Sequence, residues 1–234
     1  MNRMPNHTAN HVTIQGPKES LDTLYNACFH MEKPAKDPYY RDKLVEAERA
    51  GNKKEVSRIA DLIHEEEKRP EYLLFDFNRI IPAPAFIRMS GGVGSRDADY
   101  YSGRHWYEWC KANWGTKWGA YNLSKITREP EWLDFYFDTA WNPPKPIYET
   151  LATWFRELAF RIEYIGEGGE FWGVLIREAM KDDKGKCPWV SWLEEEEYTQ
   201  IGSERSKRLY RDLAVRLQGR DPEKDENEEE QTDV

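Results

Sequence analysis

The sequence has no apolar run near the roughly 18 residues that a membrane-spanning helix requires. Its opening residues, Met1-Asn-Arg-Met-Pro-Asn-His-Thr8, hold no apolar stretch of the kind that marks a signal peptide. These two absences point to a cytoplasmic protein with no membrane partner. Cysteine is scarce: Cys28, Cys110 and Cys187 are odd in number, far apart and in no C-x-x-C pair. That pattern excludes a disulfide framework and a zinc knuckle and leaves reduced thiols. Gly91-Gly-Val-Gly-Ser95 has the glycines of a phosphate cradle, but it lacks a Gly-Lys-Ser/Thr ending and a strong strand before it. His7 and His11 have metal-ligand spacing for a helix, yet they open a strand, where that spacing gives no shared helical face. Hence no metal and no cofactor are expected.

Charge of one sign is also missing over most of the chain. The formal charge is −9, and residues 221–234 carry −7 of it, so the first 220 residues sum to only −2. With no aromatic residue to repay the entropy of ordering, 221–234 reads as a disordered acidic tail. Just before it, residues 203–220 sum to +4 through Arg205, Lys207, Arg208, Arg211, Arg216 and Arg220. A basic helix followed by an acidic tail allows self-masking; a solvated helix face with a solubilising tail is the plainer account.

What the chain has in quantity is tryptophan, ten in 234 residues, four of them between Trp106 and Trp118. Trp106, Trp109, Trp114 and Trp118 are set among Asn113, Thr116 and Lys117, a polar company that a core does not need. The segment either forms a surface or braces one. Its most readable bond is Lys117 to Asp138, which would tie the segment to a strand ending.

The periodicities run as follows. His11-Val-Thr-Ile-Gln15 alternates as a strand, and Leu21, Leu24, Tyr25 and Cys28 share one helical face. Residues 36–70 are mostly charged, with Val56, Ile59, Ala60 and Ile63 at helical spacing and Gly51-Asn52 as a break, which reads as an inserted helical hairpin. Tyr72-Leu-Leu-Phe-Asp-Phe77 suits a buried strand, and residues 88–104 a glycine-rich loop. Leu133, Phe135 and Phe137 alternate with Asp134, Tyr136 and Asp138 as a two-faced strand. A helix marked by Ile147, Leu151, Trp154 and Phe155 follows it. Then come two strands, 160–164 and 171–176, joined by a glycine-rich turn.

Strand, helix, strand, then strand, helix, strand is the split β-α-β plan. The fold class is α+β, a ferredoxin-like antiparallel sheet with helices on one face, an inserted helical hairpin and a C-terminal helix. The domain itself takes residues 4–35 and 71–180, the hairpin 36–70, and the C-terminal loop and basic helix 181–220. The second sheet face then needs a cover, for which the Trp-rich segment and the C-terminal helix are the candidates.

Several strings in this order resemble one family: Met4-Pro-Asn6, Phe75-Asp-Phe-Asn-Arg-Ile-Ile-Pro82, Asn113-Trp-Gly-Thr-Lys-Trp118 with Tyr121-Asn122, Phe137-Asp-Thr-Ala-Trp141 with Pro143-Pro144, and Tyr164-Ile-Gly-Glu-Gly-Gly-Glu-Phe-Trp-Gly173. Together they are similar to the YubB-type ferredoxin-like proteins of plasmids and phages, over about residues 4–178. The resemblance implies a ferredoxin-like fold and a mobile-element origin, and it transfers no activity to any residue.

No nucleophile and base pair stands out. Cys110 five residues after His105 in a helix points away from it, and Asp134, Asp138, Glu163 and Glu167 read as acids of a polar sheet face. The function expected is therefore non-enzymatic: a mobile-element accessory, a candidate anti-defence protein, that contacts a host or defence protein through an aromatic and acidic surface. The residues expected to carry binding are Trp109, Asn113, Trp114, Lys117, Trp118, Tyr136, Asp138, Trp141 and Trp172. The alternative is a single-strand nucleic-acid binder, stacking bases on Tyr136 and Trp172 or using the basic helix 203–220. Against it stands the lack of a basic stripe beside those aromatics.

Overall fold

A computed structural model describes residues 6–33, 38–85, 87, 106–179 and 204–222. The glycine-rich loop 88–104, His105, Cys187 and the acidic run from Glu223 onward lie outside these residues. The chain divides into two compact units, one of residues 1–28 and 75–234 and the other of residues 29–74.

In the larger unit, β1 (His7–Gln15) lies at the centre of a sheet. After α1 (Lys18–Cys28) the chain leaves for the smaller unit, made of β2 (Phe29–Glu32), α2 (Pro38–Arg49), α3 (Lys53–Glu67) and most of β3 (Tyr72–Phe75). It returns through a single helical turn, α4 (Phe77–Ile80), and α5 (Trp106–Asn113) to the hairpin β4 (Tyr121–Glu129) and β5 (Trp132–Ala140). Helix α6 (Lys145–Trp154), strands β6 (Ala159–Gly166) and β7 (Trp172–Arg177), and helix α7 (Glu204–Leu213) with a π-helical extension to Gln218 complete it.

Among the described residues the sheet has five strands in the order β4-β5-β1-β6-β7, each described pairing antiparallel. The run β1-α1-β4-β5-α6-β6 is the ferredoxin-like plan, and β7 adds a strand beside β6. The second strand of that plan is thus β4. Residues 72–77, expected to supply it, form β3 over Tyr72–Phe75 only, paired with β2 in a separate two-stranded ribbon. Tyr72–Phe75 is a short apolar run, and pairing partners are not written in such runs.

Alternation decides which face is which. Val12 and Ile14 of β1, Leu133, Phe135 and Phe137 of β5, and Phe160 and Ile162 of β6 are buried on the helix-bearing face. There they join Leu21, Leu24 and Cys28 of α1 and Ile147, Tyr148 and Leu151 of α6 in the core. Phe75 stands edge-on to Phe135 and Phe137, with ring centroids 5.1 and 5.2 Å away. Polar residues also occupy this face, Thr8 and Thr139 among them. Buried Asn10 donates to the Thr8 carbonyl at 2.8 Å and to Thr139 Oγ1 at 3.0 Å, and its Oδ1 accepts from the Tyr148 hydroxyl at 2.8 Å, so its polar atoms meet the partners that burial demands.

Tyr164 lays its ring over Gly173 on the neighbouring strand, where an added Cβ would strike the ring and its hydroxyl. Gly173→Ala is accordingly expected to cost about 1–3 kcal/mol by overpacking. The cost should shrink when Tyr164→Leu is made in the same chain, a coupling read from urea denaturation of the four variants of the cycle.

In the smaller unit, α2 and α3 form a helical hairpin whose turn uses Gly51 at φ +67°. Asn52 Oδ1 caps α3 by accepting from the Glu55 amide at 3.2 Å. Ile59 is buried and Ala60 exposed.

Candidate functional site

The Trp-rich segment folds as α5 followed by a tight turn that is bonded, ring by ring, to the rest of its unit. Asn113 Nδ2 donates to the Trp109 carbonyl at 2.8 Å, closing the helix end. Trp114 Nε1 donates to the Ile81 carbonyl at 2.9 Å, and its ring stands edge-on to Trp109 at 5.3 Å and to Phe77 at 5.9 Å. Phe77 in turn meets Phe137 of the helix-bearing face, so the segment braces that side of the sheet and does not cover the opposite one as expected. Thr116 is buried with its hydroxyl on the Ala140 carbonyl at 2.7 Å, and the Lys117 amide donates to the same oxygen at 3.3 Å.

The Lys117 ammonium goes to neither Asp134 nor Asp138. It lies 4.9 Å from the ring centres of Trp118 and Trp141 and 6.0 Å from Tyr107, inside a cage of three aromatics. The expected Lys117–Asp138 bond is replaced by one from Asn122 Nδ2 to Asp138 Oδ2 at 2.8 Å. The turn at Gly115 and the strand ending converge on Lys117 from the aromatic side, which the spacing of charges did not show. Trp141 holds φ +80°, a conformation costly for a bulky side chain. Its amide bonds the Asn6 carbonyl at 2.9 Å and its ring packs edge-on to Tyr107 at 5.5 Å. Lys117→Met, which keeps the stem and removes the charge, is expected to cost about 1–2 kcal/mol, measured by urea unfolding.

Beside this braced turn lies a cleft of about 500 Å³, lined by Gly115, Asn142, Pro143, Lys145, Pro146, Tyr164 and Phe171. Its walls are proline and aromatic rings. The start of α6 presents no free amides to it, because the Lys145, Ile147 and Tyr148 amides donate to the carbonyls of Pro143 and Pro144. Lys145 Nζ sits 5.9 Å from the Tyr164 ring centre.

The second sheet face carries what sequence reading missed. His11, the partner of Tyr136 on one side and Glu163 on the other, lies between two carboxylates. Its Nε2 is 2.7 Å from Asp134 Oδ1 and its Nδ1 3.0 Å from Glu163 Oε2. Only an imidazolium donates to both. Burial alone would lower the His11 pKa, but the bonds and charges of Glu163 and Asp134 outweigh it and raise it above the usual 6.5. The Tyr136 ring stacks on His11 at 4.1 Å, with Lys125 Nζ 4.9 Å above that ring. Glu163 is buried and also accepts from Arg161 at 2.6 and 2.9 Å and from Arg216 of the C-terminal helix at 2.7 Å. Burial would raise its pKa, but these three donors hold it well below the usual carboxylate range. The acids Asp134 and Glu163 were visible as residues of a polar face; what gathers them on His11 is cross-strand register, which spacing does not reveal.

Trp172 lies on this same face as expected, yet it is wholly buried. The C-terminal helix covers it, with Leu213 and Ala214 packed beside Trp172 and Ile165, and Tyr210 at 4.7 Å from the Trp172 ring. Trp172 is therefore no stacking platform, while Tyr136, half-buried, remains at the surface. Three cations of the basic helix are paired within the chain: Lys207 with Glu204, Arg211 with Asp221, and Arg216 with Asp212 and Glu163. The thiols of Cys28 and Cys110 are pushed up by burial to about 12 and about 11, so both stay protonated near neutrality. His7 Nδ1 is 2.6 Å from the Tyr121 hydroxyl. Among the described residues, no group of three or more His, Cys, Asp or Glu side chains is placed to hold a metal ion, and no helix is long and apolar enough to cross a membrane.

Residues 113–209 match the family model described as the ferredoxin-like domain in Api92-like protein. The crystal structure of protein api92 from Yersinia pseudotuberculosis superposes with a TM-score of 0.47 at 14% identity, over 80% of this chain and 100% of that one. No curated protein matches the chain. The chain thus carries a ferredoxin-like domain similar to the one in Api92-like proteins.

Proposed function

We propose that the protein acts by binding another protein, without chemistry of its own, and that the cleft beside the Trp-rich turn receives an extended segment of that partner. The observation that carries this reading is the lining of the cleft: Pro143, Pro146, Tyr164 and Phe171 form apolar walls around Lys145 and Asn142. Grooves walled by aromatic and proline rings take extended, proline-bearing peptides, because the ligand is stiff before it binds and loses little entropy. Lys145 adds a preference for an acid beside the apolar contact. The bracing of the neighbouring turn keeps the groove formed in the free protein, which limits the ordering cost of binding. Within this reading, the resemblance to YubB-type proteins favours a mobile-element accessory whose partner is a host or defence protein.

The test is selection of proline-containing peptides displayed on phage against the full chain, followed by titration of the selected peptides. Phe171→Asp and Lys145→Glu are expected to weaken them at least about tenfold, the equivalent of one well-placed contact, while the melting temperature holds. Peptides indifferent to both substitutions would remove the cleft from the account. Titration with labelled single-stranded oligonucleotides at low salt covers the other reading; micromolar binding that falls steeply with salt and is lost in Tyr136→Ala would replace ours.

A further inference from the structure

The junction between the C-terminal helix and the sheet depends on one oxygen with two claimants. Glu163 Oε2 accepts from His11 Nδ1 at 3.0 Å and from Arg216 Nη1 at 2.7 Å. The remaining charged groups around His11 are held on fixed strands or on the helix itself. On β5, Asp134 bonds His11 Nε2 and the Thr13 hydroxyl, and Tyr136 covers the ring. On β6, Arg161 occupies the other Glu163 oxygen, Oε1. On β4, Lys125 lies over Tyr136. On the helix, Asp212 is bound by Arg216 through Nε and Nη2 at 3.0 and 2.8 Å.

Docking the helix therefore brings a guanidinium to an atom that a charged imidazole also uses. That second donor disfavours the proton on His11, whereas the two carboxylates that favour it belong to the sheet and stay whether or not the helix is present. We infer that protonated His11 and Arg216 compete for Glu163, so that acidification weakens the hold of residues 209–218 on the sheet and opens the face that buries Trp172. By reciprocity, the docked helix lowers the proton affinity of His11.

The same proton has the opposite effect on the fold as a whole. The His11 pKa in the folded protein is raised, so its contribution to overall stability is fully present below the unfolded value of 6.5 and is lost as pH rises through the folded value. Acid thus strengthens the cross-strand bridges while it loosens the helix, and the two slopes separate a local event from general unfolding.

Two measurements on the full chain test this. In spectra of histidine-labelled protein, with His11→Gln assigning the signal, Arg216→Gln is expected to move the His11 titration to higher pH, and Arg216→Lys to leave it close to wild type. An unchanged or lower midpoint in Arg216→Gln overturns the competition. In hydrogen exchange corrected for intrinsic rates, protection of residues 209–218 is expected to fall severalfold as pH drops through that titration, while β1 and β6 amides keep theirs. His11→Gln should abolish the fall. A flat profile in wild type, or a slope that survives His11→Gln, ends the proposal.

Discussion

Truncating Trp172 to alanine is expected to lower the free energy of unfolding by about 3–5 kcal/mol, the range for removing a fully buried large aromatic. Trp172 has no exposed surface and sits between the neighbouring strand, through Ile165, and the C-terminal helix, through Tyr210 at 4.7 Å, Leu213 and Ala214. Partial collapse of the hole is opposed by the strand pairing on either side of Ile165. The helix has few other apolar anchors, so part of the loss should appear as local release. Protection of residues 209–218 is expected to fall first, and the midpoint in urea to shift without a large change in slope. Trp172→Phe retains a ring against Tyr210 and should cost much less. A Trp172→Ala protein that unfolds at the wild-type midpoint would show that the helix does not seal this face.

Replacing Glu163 with alanine should cost on the order of 3 kcal/mol, because three cationic partners converge on one buried carboxylate. Arg161 gives it a two-toothed bond, and His11 and Arg216 share its other oxygen. Arg161 and Arg216 are partly exposed and can turn to solvent, which keeps the figure from being larger. Glu163→Gln leaves an amide that still accepts one bond and is expected to fall between. The pH signature is specific. A carboxyl held below the ordinary range contributes stability above its unfolded pKa, about 4.3, and loses the contribution only as pH falls through the folded value. The gap between wild type and Glu163→Ala should therefore be widest between roughly pH 5 and the His11 titration, narrowing in more acid solution as Glu163 takes up its proton and again at higher pH as His11 loses its own, as read from thermal unfolding across pH.

Most of the architecture was legible. The alternation of Leu133, Phe135 and Phe137 against Asp134, Tyr136 and Asp138, and the helical spacing around Leu21 and Ile147, place strands and helices because burial imposes their periods. The ferredoxin-like order followed from counting those elements. What failed was partnership. Tyr72–Phe75 has the composition of a central strand, and only pairing shows it beside Phe29–Glu32. The polar face was legible as polar; the imidazolium bridge was not, since His11, Asp134 and Glu163 are more than a hundred residues apart in part and meet by register alone. Lys117 shows the same limit from another side. A lysine near acids suggests an ion pair, but the rings of Trp118, Trp141 and Tyr107 stand closer to where its stem leads. Aromatic density signalled a special segment without saying that the segment's own lysine fills it.

Strand β4 borders the sheet, and its pairing with β5 slips between Tyr121 and Ser124 and again between Ser124 and Thr127, with Asn122 and Lys125 at φ +52° and +49°. Two kinks in nine residues leave no straight row of amides and carbonyls for a second copy to zip onto. Crowded at high concentration, the protein should resist growing into ribbons along this border. Excising both kinked residues would straighten the margin and invite such growth.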